Sequence, residues 1–222
     1  MIPRHHPEMA QLLDYATGSA AEPVALLIAS HLALCPACRR DVAALDSIGG
    51  CMLEDSDPVP LAEGSFERLM DRLRGEAPPE EPDGGTQDEP DSPFDPLPLP
   101  LRRYLPKGLR GLSWSSLAGG RIRIAELLPP VGSLRTQLVH VRAGSSILPH
   151  THRGMEMSLI LSGGYTDEYG QFLRGDVETA DDTVTHRPVA DTGADCLTLT
   201  LVAGDLRFVG PVGTLLSPFI KS

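Results

Sequence analysis

The part of the chain that decides its fold is residues 144–163, which read GSSILPHTHRGMEMSLILSG. His150 and His152 stand one residue apart, and such residues point to the same face of a β-strand. Glu156 follows four residues after His152, and a bend between them can bring a carboxylate oxygen toward the same ion. Imidazole and carboxylate together suit zinc, manganese, iron or nickel. The stretch therefore predicts a site for zinc or another divalent transition metal within β-structure.

The sequence around this stretch has the texture of an all-β domain. Short apolar runs are separated by glycine and proline at close intervals across residues 101–222, with no helical period between them. Residues 197–201, LTLTL, alternate with the period of two that is typical of a half-buried strand. Many short strands of this kind favour an antiparallel sandwich or a small barrel.

Residues 144–163 resemble the first motif of the cupin family, G-x5-H-x-H-x3-E-x6-G, at every fixed position. The second motif, G-x5-P-x-G-x2-H-x3-N, is kept at Gly175 and His186. Other residues stand where its proline, glycine and asparagine are expected, namely Asp181, Thr183 and Ala190. The resemblance implies a cupin fold for residues 101–222, a double-stranded β-helix or jelly-roll. His186, on a neighbouring strand, is the predicted third imidazole.

The sequence indicates no catalytic residue beside this metal. No second acid–base pair and no array of nucleophiles accompanies the three histidines and Glu156. The polar residues that follow the first motif favour a hairpin tip over a pocket, and they are Tyr165, Asp167, Glu168 and Tyr169. His140 is interpreted as a satisfied strand histidine and Cys196 as a buried, inert thiol. The alternative for His150, His152 and Glu156 is a surface position without metal.

A second candidate site lies in residues 31–38, HLALCPAC. Cys35 and Cys38 follow His31 by four and seven residues, and offsets of four and seven fall on one face of a helix. Imidazole and thiolate are ligands that zinc prefers in a tetrahedral site, which needs one more donor. Spacing allows either His5 or His6 to supply it. The alternatives are a redox dithiol without metal, or two core cysteines beside a surface histidine. Cys51 is interpreted as a core residue, with a resolving thiol for an oxidised Cys38 as its alternative.

The first 75 residues predict a small all-α domain. Helices are expected over residues 7–16, 22–34 and 36–48, the last ended by Gly49 and Gly50. A fourth is expected over residues 66–74, with Ser65 as its N-cap and Gly75 at its end. About 75 residues give a marginal core, which a metal ion would stabilise.

Charge and proline content divide the chain further. Residues 76–100 contain 8 prolines and 8 acidic residues and no basic ones, so an extended, solvated linker is predicted there. Of the total charge of −11, residues 1–75 contribute −5 and residues 101–222 contribute +2. An acidic N-terminal third repels nucleic acid and favours a basic protein partner. Domains are therefore expected at 1–75 and 101–222.

The sequence also carries expectations about location. No apolar run approaches the roughly 18 residues that cross a bilayer, and the N-terminus lacks the features of a signal peptide. We expect a cytoplasmic protein without membrane contact, whose cysteines are ligands or thiols rather than disulfides.

The N-terminal motif resembles the zinc-binding anti-sigma domain, in which a histidine near the N-terminus precedes His-x3-Cys-x2-Cys. Together with the cupin half, the whole chain is similar to anti-sigma factors of the ChrR type. The resemblance implies that His6 is the fourth zinc ligand and that the helices bind an extracytoplasmic-function sigma factor. It also implies release on oxidative stress, by singlet oxygen or organic hydroperoxides, sensed through the cupin domain.

Two other functions are consistent with the residues alone. One is a cupin metalloenzyme, dioxygenase-like, with a zinc-stapled helical appendage. The other is a metal-buffering or purely structural protein. For the regulator, the apolar residues expected to meet a sigma factor are Val42, Leu45 and Ile48.

Overall fold

The computed structural model describes residues 2–75 and 97–209. Five helices in this part of the chain are α1 Met9–Ala16, α2 Glu22–Leu34, α3 Pro36–Glu54, α4 Ser65–Gly75 and α5 Leu99–Arg102. Twelve strands follow in the described C-terminal part: β1 Ser115–Leu117, β2 Ile122–Val131, β3 Leu134–Val141, β4 His150–His152, β5 Glu156–Ser162, β6 Gly164–Thr166, β7 Gln171–Leu173, β8 Val177–Ala180, β9 Thr185–His186, β10 Val189–Ala190, β11 Cys196–Ala203 and β12 Leu206–Phe208. The predicted order of a helical region followed by a β-rich domain is confirmed.

The strands form one large and two small antiparallel sheets. The large sheet has the order β1-β2-β3-β11-β5-β8, and the small ones have the orders β10-β6-β7 and β12-β4-β9. The histidines of the two cupin motifs meet in the last of these sheets, where β4 pairs with β9. In that register His150 lies directly opposite His186.

The central strand β11 is buried on both faces, so the prediction of a half-buried strand is wrong. Leu197, Leu199 and Leu201 are fully buried on one face, and Thr198 and Thr200 are nearly so on the other. The threonine hydroxyls lie 2.9 Å apart and so satisfy each other away from water. The alternating pattern predicted one exposed face, but another part of the chain covers the face that carries the leucines.

The cover is the N-terminal region. Leu26 and Leu27 of α2 belong to the same buried cluster as the β11 leucines, together with Leu101 of α5. Burial of a leucine side chain stabilises by about 1.5–3 kcal/mol. Helix α2 is therefore part of the core of the β-domain.

The described residues form two compact units whose boundaries differ from those predicted from charge and proline content. Residues up to Ser47 and those from Leu97 onward form one compact unit, and those from Ile48 to Gly75 belong to a second. The predicted boundaries at residues 75 and 100 stay predictions. Most of the predicted linker, residues 76–96, lies outside the described residues.

The predicted end of the third helix at Gly49 and Gly50 is wrong, because α3 continues to Glu54. Neither glycine has a positive φ angle, so neither forms the left-handed C-cap that ends many helices. Each costs roughly 1 kcal/mol in a helix interior, which good helix formers on both sides can offset. Ser65 is also not an N-cap: it is the first residue of α4, and its hydroxyl donates to the Ala62 carbonyl.

Residues 48–75 bury no large apolar side chain in the structure. Those exposed by half or more of their surface are Ile48, Met52, Leu53, Val59, Leu61, Phe66, Leu69 and Leu73. Among the residues expected to meet a sigma factor, Val42 is buried, so that expectation is wrong for it. Leu45 is partly buried against the α1–α3 core, and Ile48 is exposed. Within the described ranges, no helix is long and apolar enough to cross a membrane.

We predict that Leu27→Ala destabilises the β-domain as well as the helices. Truncation of a fully buried leucine costs about 2–5 kcal/mol, and Leu27 is 0% exposed among residues of both regions. Calorimetry should show one unfolding transition for the compact unit, shifted to lower temperature.

Leu13→Ala on α1 is the matched control, since that leucine is exposed. Its effect should stay within about 0.5 kcal/mol. A Leu27→Ala protein whose β-domain melts at the wild-type temperature would contradict a shared core.

Two candidate metal centres

The first centre joins three separate pieces of the N-terminal region. His31 lies on α2, Cys35 directly after it, Cys38 on α3, and His6 in the segment before α1. One ligand atom from each of these four residues lies within 4.8 Å of every other. All but His6 are buried.

The distances within this group fit a tetrahedral ion. Nδ1 of His6 lies 3.4 Å from Sγ of Cys35 and 3.5 Å from Sγ of Cys38. Nε2 of His31 lies 3.3 Å from Sγ of Cys38. Bonds of about 2.3 Å to sulfur and 2.0–2.1 Å to nitrogen would separate such atoms by about 3.5 Å. The group can hold a metal ion.

The surroundings prepare these side chains for a cation. Nδ1–H of His31 donates to the Gly175 carbonyl at 2.8 Å, which leaves the Nε2 lone pair directed at the thiols. Burial, and then the hydrogen bond with Cys35, raises the pKa of Cys38 to about 12. The Cys38 thiol therefore ionises only if positive charge is supplied, and a bound metal supplies it.

The structure also separates the two candidates that spacing left open. His6 points to the thiols, whereas His5 packs its ring on Phe172 with 4.5 Å between ring centroids. Nδ1 of His5 lies 3.4 Å from a carboxylate oxygen of Asp176.

The second centre is a group of three imidazoles inside the β-domain. Nε2 of His186 lies 3.1 Å from Nε2 of His150 and 3.3 Å from Nε2 of His152. Nδ1–H of His150 donates to the Leu148 carbonyl at 2.8 Å, so its Nε2 is free to accept a metal. Nitrogens bound to one tetrahedral ion lie about 3.3 Å apart. All three histidines are buried.

Glu156 is not part of this group in the structure. Its Oε2 lies 3.4 Å from Nδ1 of His152, on the far side of that ring from the other histidines and outside hydrogen-bonding geometry. Burial raises the pKa of Glu156 to about 7. The assignment of Glu156 as a ligand stays a prediction.

Sequence reasoning missed the carboxylates that hold His186. Asp167 Oδ2 and Glu178 Oε1 lie 3.0 and 3.2 Å from Nδ1 of His186. The hydroxyl of Tyr165 donates to the other oxygen of Glu178. The backbone around Asp167 is the predicted hairpin tip, between β6 and β7, but its carboxylate is buried at the site. Successive residues of a strand point to opposite faces, so Glu178 and Val177 lie on opposite faces of β8. This alternation is the sequence signal that could have indicated Glu178.

These contacts give the imidazoles different proton affinities. Burial, and for His152 also the neighbouring histidines, lowers the pKa of His150 and His152 to about 4. Burial also acts to lower the pKa of His186, but Glu178 and Asp167 outweigh it and raise that pKa to about 9. His186 is therefore the imidazole that is protonated on both nitrogens, and so positively charged, at neutral pH when no metal is bound.

The turn before His186 replaces the expected proline and glycine with side-chain hydrogen bonds. Oδ1 of Asp181 accepts from the backbone N–H of Thr183 at 2.9 Å and from its hydroxyl at 2.6 Å. Such an Asx turn fixes the backbone as a proline would. Although this turn lacks the proline and glycine of the second cupin motif, His186 still lies opposite His150 of β4.

The other singled-out residues divide clearly. His140 is satisfied on its strand, with Nε2 3.0 Å from Asp195 Oδ2, and Cys196 is buried with a pKa raised by burial to about 12. Both predictions are confirmed. Cys51 is exposed, so its interpretation as a core residue is wrong.

The chain is similar to a known protein family and to known proteins. Residues 110–203 match the family described as the ChrR cupin-like domain. The chain is 36% identical over 221 residues to the anti-sigma-E factor ChrR of Cereibacter sphaeroides, covering 100% of both. It is also similar to a chain in the crystal structure of Rhodobacter sphaeroides SigE in complex with the anti-sigma ChrR. The identity there is 37%, with a TM-score of 0.73 over 90% of this chain and 98% of that one.

The cupin-like domain, the helical region and the His and Cys groups thus occur together in a chain that aligns from end to end with a known anti-sigma factor. The chain belongs to the ChrR family of anti-sigma factors.

Proposed function

We propose that this chain binds and inhibits an extracytoplasmic-function sigma factor in the cytoplasm. The full-length similarity to an anti-sigma-E factor is the observation that carries the proposal. A chain of similar fold is found in complex with SigE, which supports a sigma factor as the partner.

Residues 48–75 support the same partner and provide a surface for it. Eight large apolar side chains are exposed there and none is buried, which is unusual for a segment that has no partner. The same residues carry six acidic and three basic side chains. An apolar surface with an acidic surround suits a protein whose own surface is basic because it binds DNA. Direct contact of this chain with nucleic acid is not part of the proposal.

We predict that Leu69→Asp on α4 weakens sigma binding by at least tenfold. Leu69 is 52% exposed and is one of the eight exposed apolar residues, and a charge placed there would have to be desolvated on binding. Titration calorimetry of the full chain with Rhodobacter sphaeroides SigE as the probe measures the change.

Leu13→Asp introduces the same change at an exposed leucine of α1 and is the matched control. It should bind SigE as the unchanged chain does. Equal loss in both variants, or in neither, would remove residues 48–75 as the docking surface.

The first metal centre is proposed to hold zinc through His6, His31, Cys35 and Cys38. Two imidazoles and two thiols are a donor set that zinc favours in closed structural sites. When bound, zinc supplies the positive charge that keeps both thiols ionised. The residues then fasten the N-terminal segment, α2 and α3 to one another.

The cupin centre is proposed to hold zinc or another divalent transition metal through His150, His152 and His186, with Glu156 as a fourth ligand. Asp167 and Glu178 orient His186 by accepting its Nδ1–H. We assign to this centre the sensing of singlet oxygen or organic hydroperoxides, and no catalytic residue. A dioxygenase-like cupin enzyme is the alternative, favoured by the buried Tyr165–Glu178–His186 network.

A matched pair of variants separates the tasks of the two centres. Cys38→Ala should lose one metal per chain, loosen the helices and no longer inhibit transcription. His150→Ala should keep inhibition but blunt its release by photosensitised singlet oxygen. Metal analysis and transcription with SigE-programmed RNA polymerase give both readouts.

Cys51→Ala and His140→Ala are the controls for residue type, since neither belongs to a metal group. Both should retain two metals per chain and a normal oxidant response. Full inhibition by zinc-free Cys38→Ala, or a normal response in His150→Ala, would refute the task assigned to that centre. Turnover of an oxygenated substrate without sigma binding would favour the enzyme.

The pKa of His186 makes metal binding at the cupin centre dependent on pH. A metal needs unprotonated Nε2, and a pKa of about 9 keeps that nitrogen protonated at neutral pH in the metal-free protein. Apparent affinity should therefore rise about tenfold per pH unit from pH 7 and level off above about 9. Chelator competition at several pH values measures this slope.

Glu178→Gln removes the negative charge that most favours protonated His186. In this variant the affinity should level off at a lower pH. A wild-type affinity that is constant between pH 7 and 9 would contradict the assignment of His186 as a protonated ligand precursor.

A further inference from the structure

Four consecutive residues, Gly175–Glu178, contact both metal centres. The carbonyl of Gly175 accepts the Nδ1–H of His31 at 2.8 Å, at the first centre. The carboxylate of Glu178 lies 3.2 Å from Nδ1 of His186, at the second. Three residues of extended chain span about 10 Å. One short, buried segment therefore supplies an outer contact to a ligand of each centre, through a backbone carbonyl at the first and a side-chain carboxylate at the second.

Between these two contacts, Asp176 holds the N-terminal segment. Its Oδ1 accepts the backbone N–H groups of Arg4 at 2.6 Å and of His5 at 3.1 Å. Its Oδ2 accepts the N–H of Leu173 at 2.8 Å, which fixes the carboxylate itself. The N–H of Val177 donates to the His5 carbonyl at 3.1 Å. The segment is thus bound to the strand by three hydrogen bonds.

This contact positions His6, the next residue. His6 is the one ligand of the first centre that no helix or helix end carries, so its place depends on how residues 3–5 are held. Pro3 lies against Gly175, where an added Cβ would come within 2.8 Å of the proline Cγ. Glycine at position 175, with φ of +93°, permits this close approach. Two of the four ligands, His6 and His31, thus depend on Gly175–Val177.

The N-terminal segment before His6 is attached to the domain by few contacts. Of residues 2–6 only Pro3 is buried. The other contacts of residues 3–5 are the hydrogen bonds to Asp176 and Val177, the His5 ring on Phe172 and the ion pair of His5 with Asp176. Segments with little buried surface open locally at low free-energy cost. Docked and released forms of this segment are therefore two states of one element that a small shift of the strand can bias.

We propose that Gly175–Glu178 couples the two centres, with Asp176 as the positioning residue. Loss of order around His186 displaces Glu178 and the strand, releases residues 3–5 from Asp176, and withdraws His6 from the thiol centre. The inference rests on the proposed metal sites and names how the cupin centre regulates the helical region. No bond other than metal–ligand and hydrogen bonds changes.

The test loads the full chain with Co²⁺ and follows cobalt loss to a chelator. Thiolate-to-cobalt charge-transfer absorption reports the first centre only, because no thiol belongs to the second. His186→Ala, which alters only the cupin centre, should speed loss of this absorption at least tenfold. Asp176→Ala should do the same, in line with the effect of outer contacts on metal affinity.

Coupling is read from the double variant. If both changes act through one route, His186→Ala combined with Asp176→Ala loses cobalt no faster than the faster single variant. Multiplied rates in the double variant, or a wild-type rate in His186→Ala, would overturn the inference. An absent charge-transfer band in the unchanged chain would overturn it together with the thiol centre, whereas SigE binding is a separate readout.

Matched controls exclude general loosening. Asp195 also accepts a backbone N–H, from Ala143 at 2.9 Å, and holds His140, away from both centres. Asp195→Ala and His140→Ala should leave the rate within about twofold of wild type. Asp176→Asn keeps Oδ1 as an acceptor and should fall between wild type and Asp176→Ala. It also replaces Asp176→Ala if circular dichroism shows that variant to be unfolded.

Discussion

Burial of the β11 leucines beneath helix α2 is the constraint on which the rest of the structure depends. Leu197, Leu199 and Leu201 lie in a buried cluster that includes side chains of α2 and α5 as well as of the β-domain. Because Leu26 and Leu27 cover them, residues that precede the predicted linker complete the core of residues that follow it. Helix α2 is thus held against the β-domain, and the 2.8 Å hydrogen bond between His31 of α2 and the Gly175 carbonyl becomes possible. The shared core thus keeps both candidate metal centres within one compact unit.

The two centres use the same physical device on different scaffolds. In each, a backbone carbonyl or a carboxylate accepts a hydrogen bond from the Nδ1–H of a histidine. The Nε2 of that histidine is thereby directed at the ligand group. The acceptors are Gly175 for His31, Leu148 for His150, and Asp167 with Glu178 for His186. Carbonyl acceptors leave the histidines neutral, whereas two carboxylates favour a charged one. The chemical difference between the centres therefore originates in their outer contacts as much as in their ligands.

Sequence reasoning succeeded where the information is local. His150 and His152 on one strand face, and His31 with Cys35 and Cys38, follow from spacing alone, and the cupin resemblance added His186. It failed where partners are distant in the chain. The alternation of Leu197–Leu201 was interpreted as half-buried because the covering helix lies about 170 residues earlier. The hairpin tip at Asp167 is confirmed, but the contact of its carboxylate with His186 is missed because no spacing rule connects the two residues. Gly49 and Gly50 do not end α3, because the cost of roughly 1 kcal/mol for each glycine is offset by the helix formers around them. A balance of such small free energies is difficult to predict from sequence.

The cysteines differ in accessibility in a way that has a practical consequence. Cys35, Cys38 and Cys196 are buried, whereas Cys51 is exposed on α3 beside Ile48 and Met52. Thiol reagents need both access and ionisation, which burial opposes at Cys38 and Cys196. A maleimide fluorophore or a spin label added to the folded chain will therefore attach to Cys51 without any engineered cysteine. The native protein thus offers a single spectroscopic handle on its apolar surface.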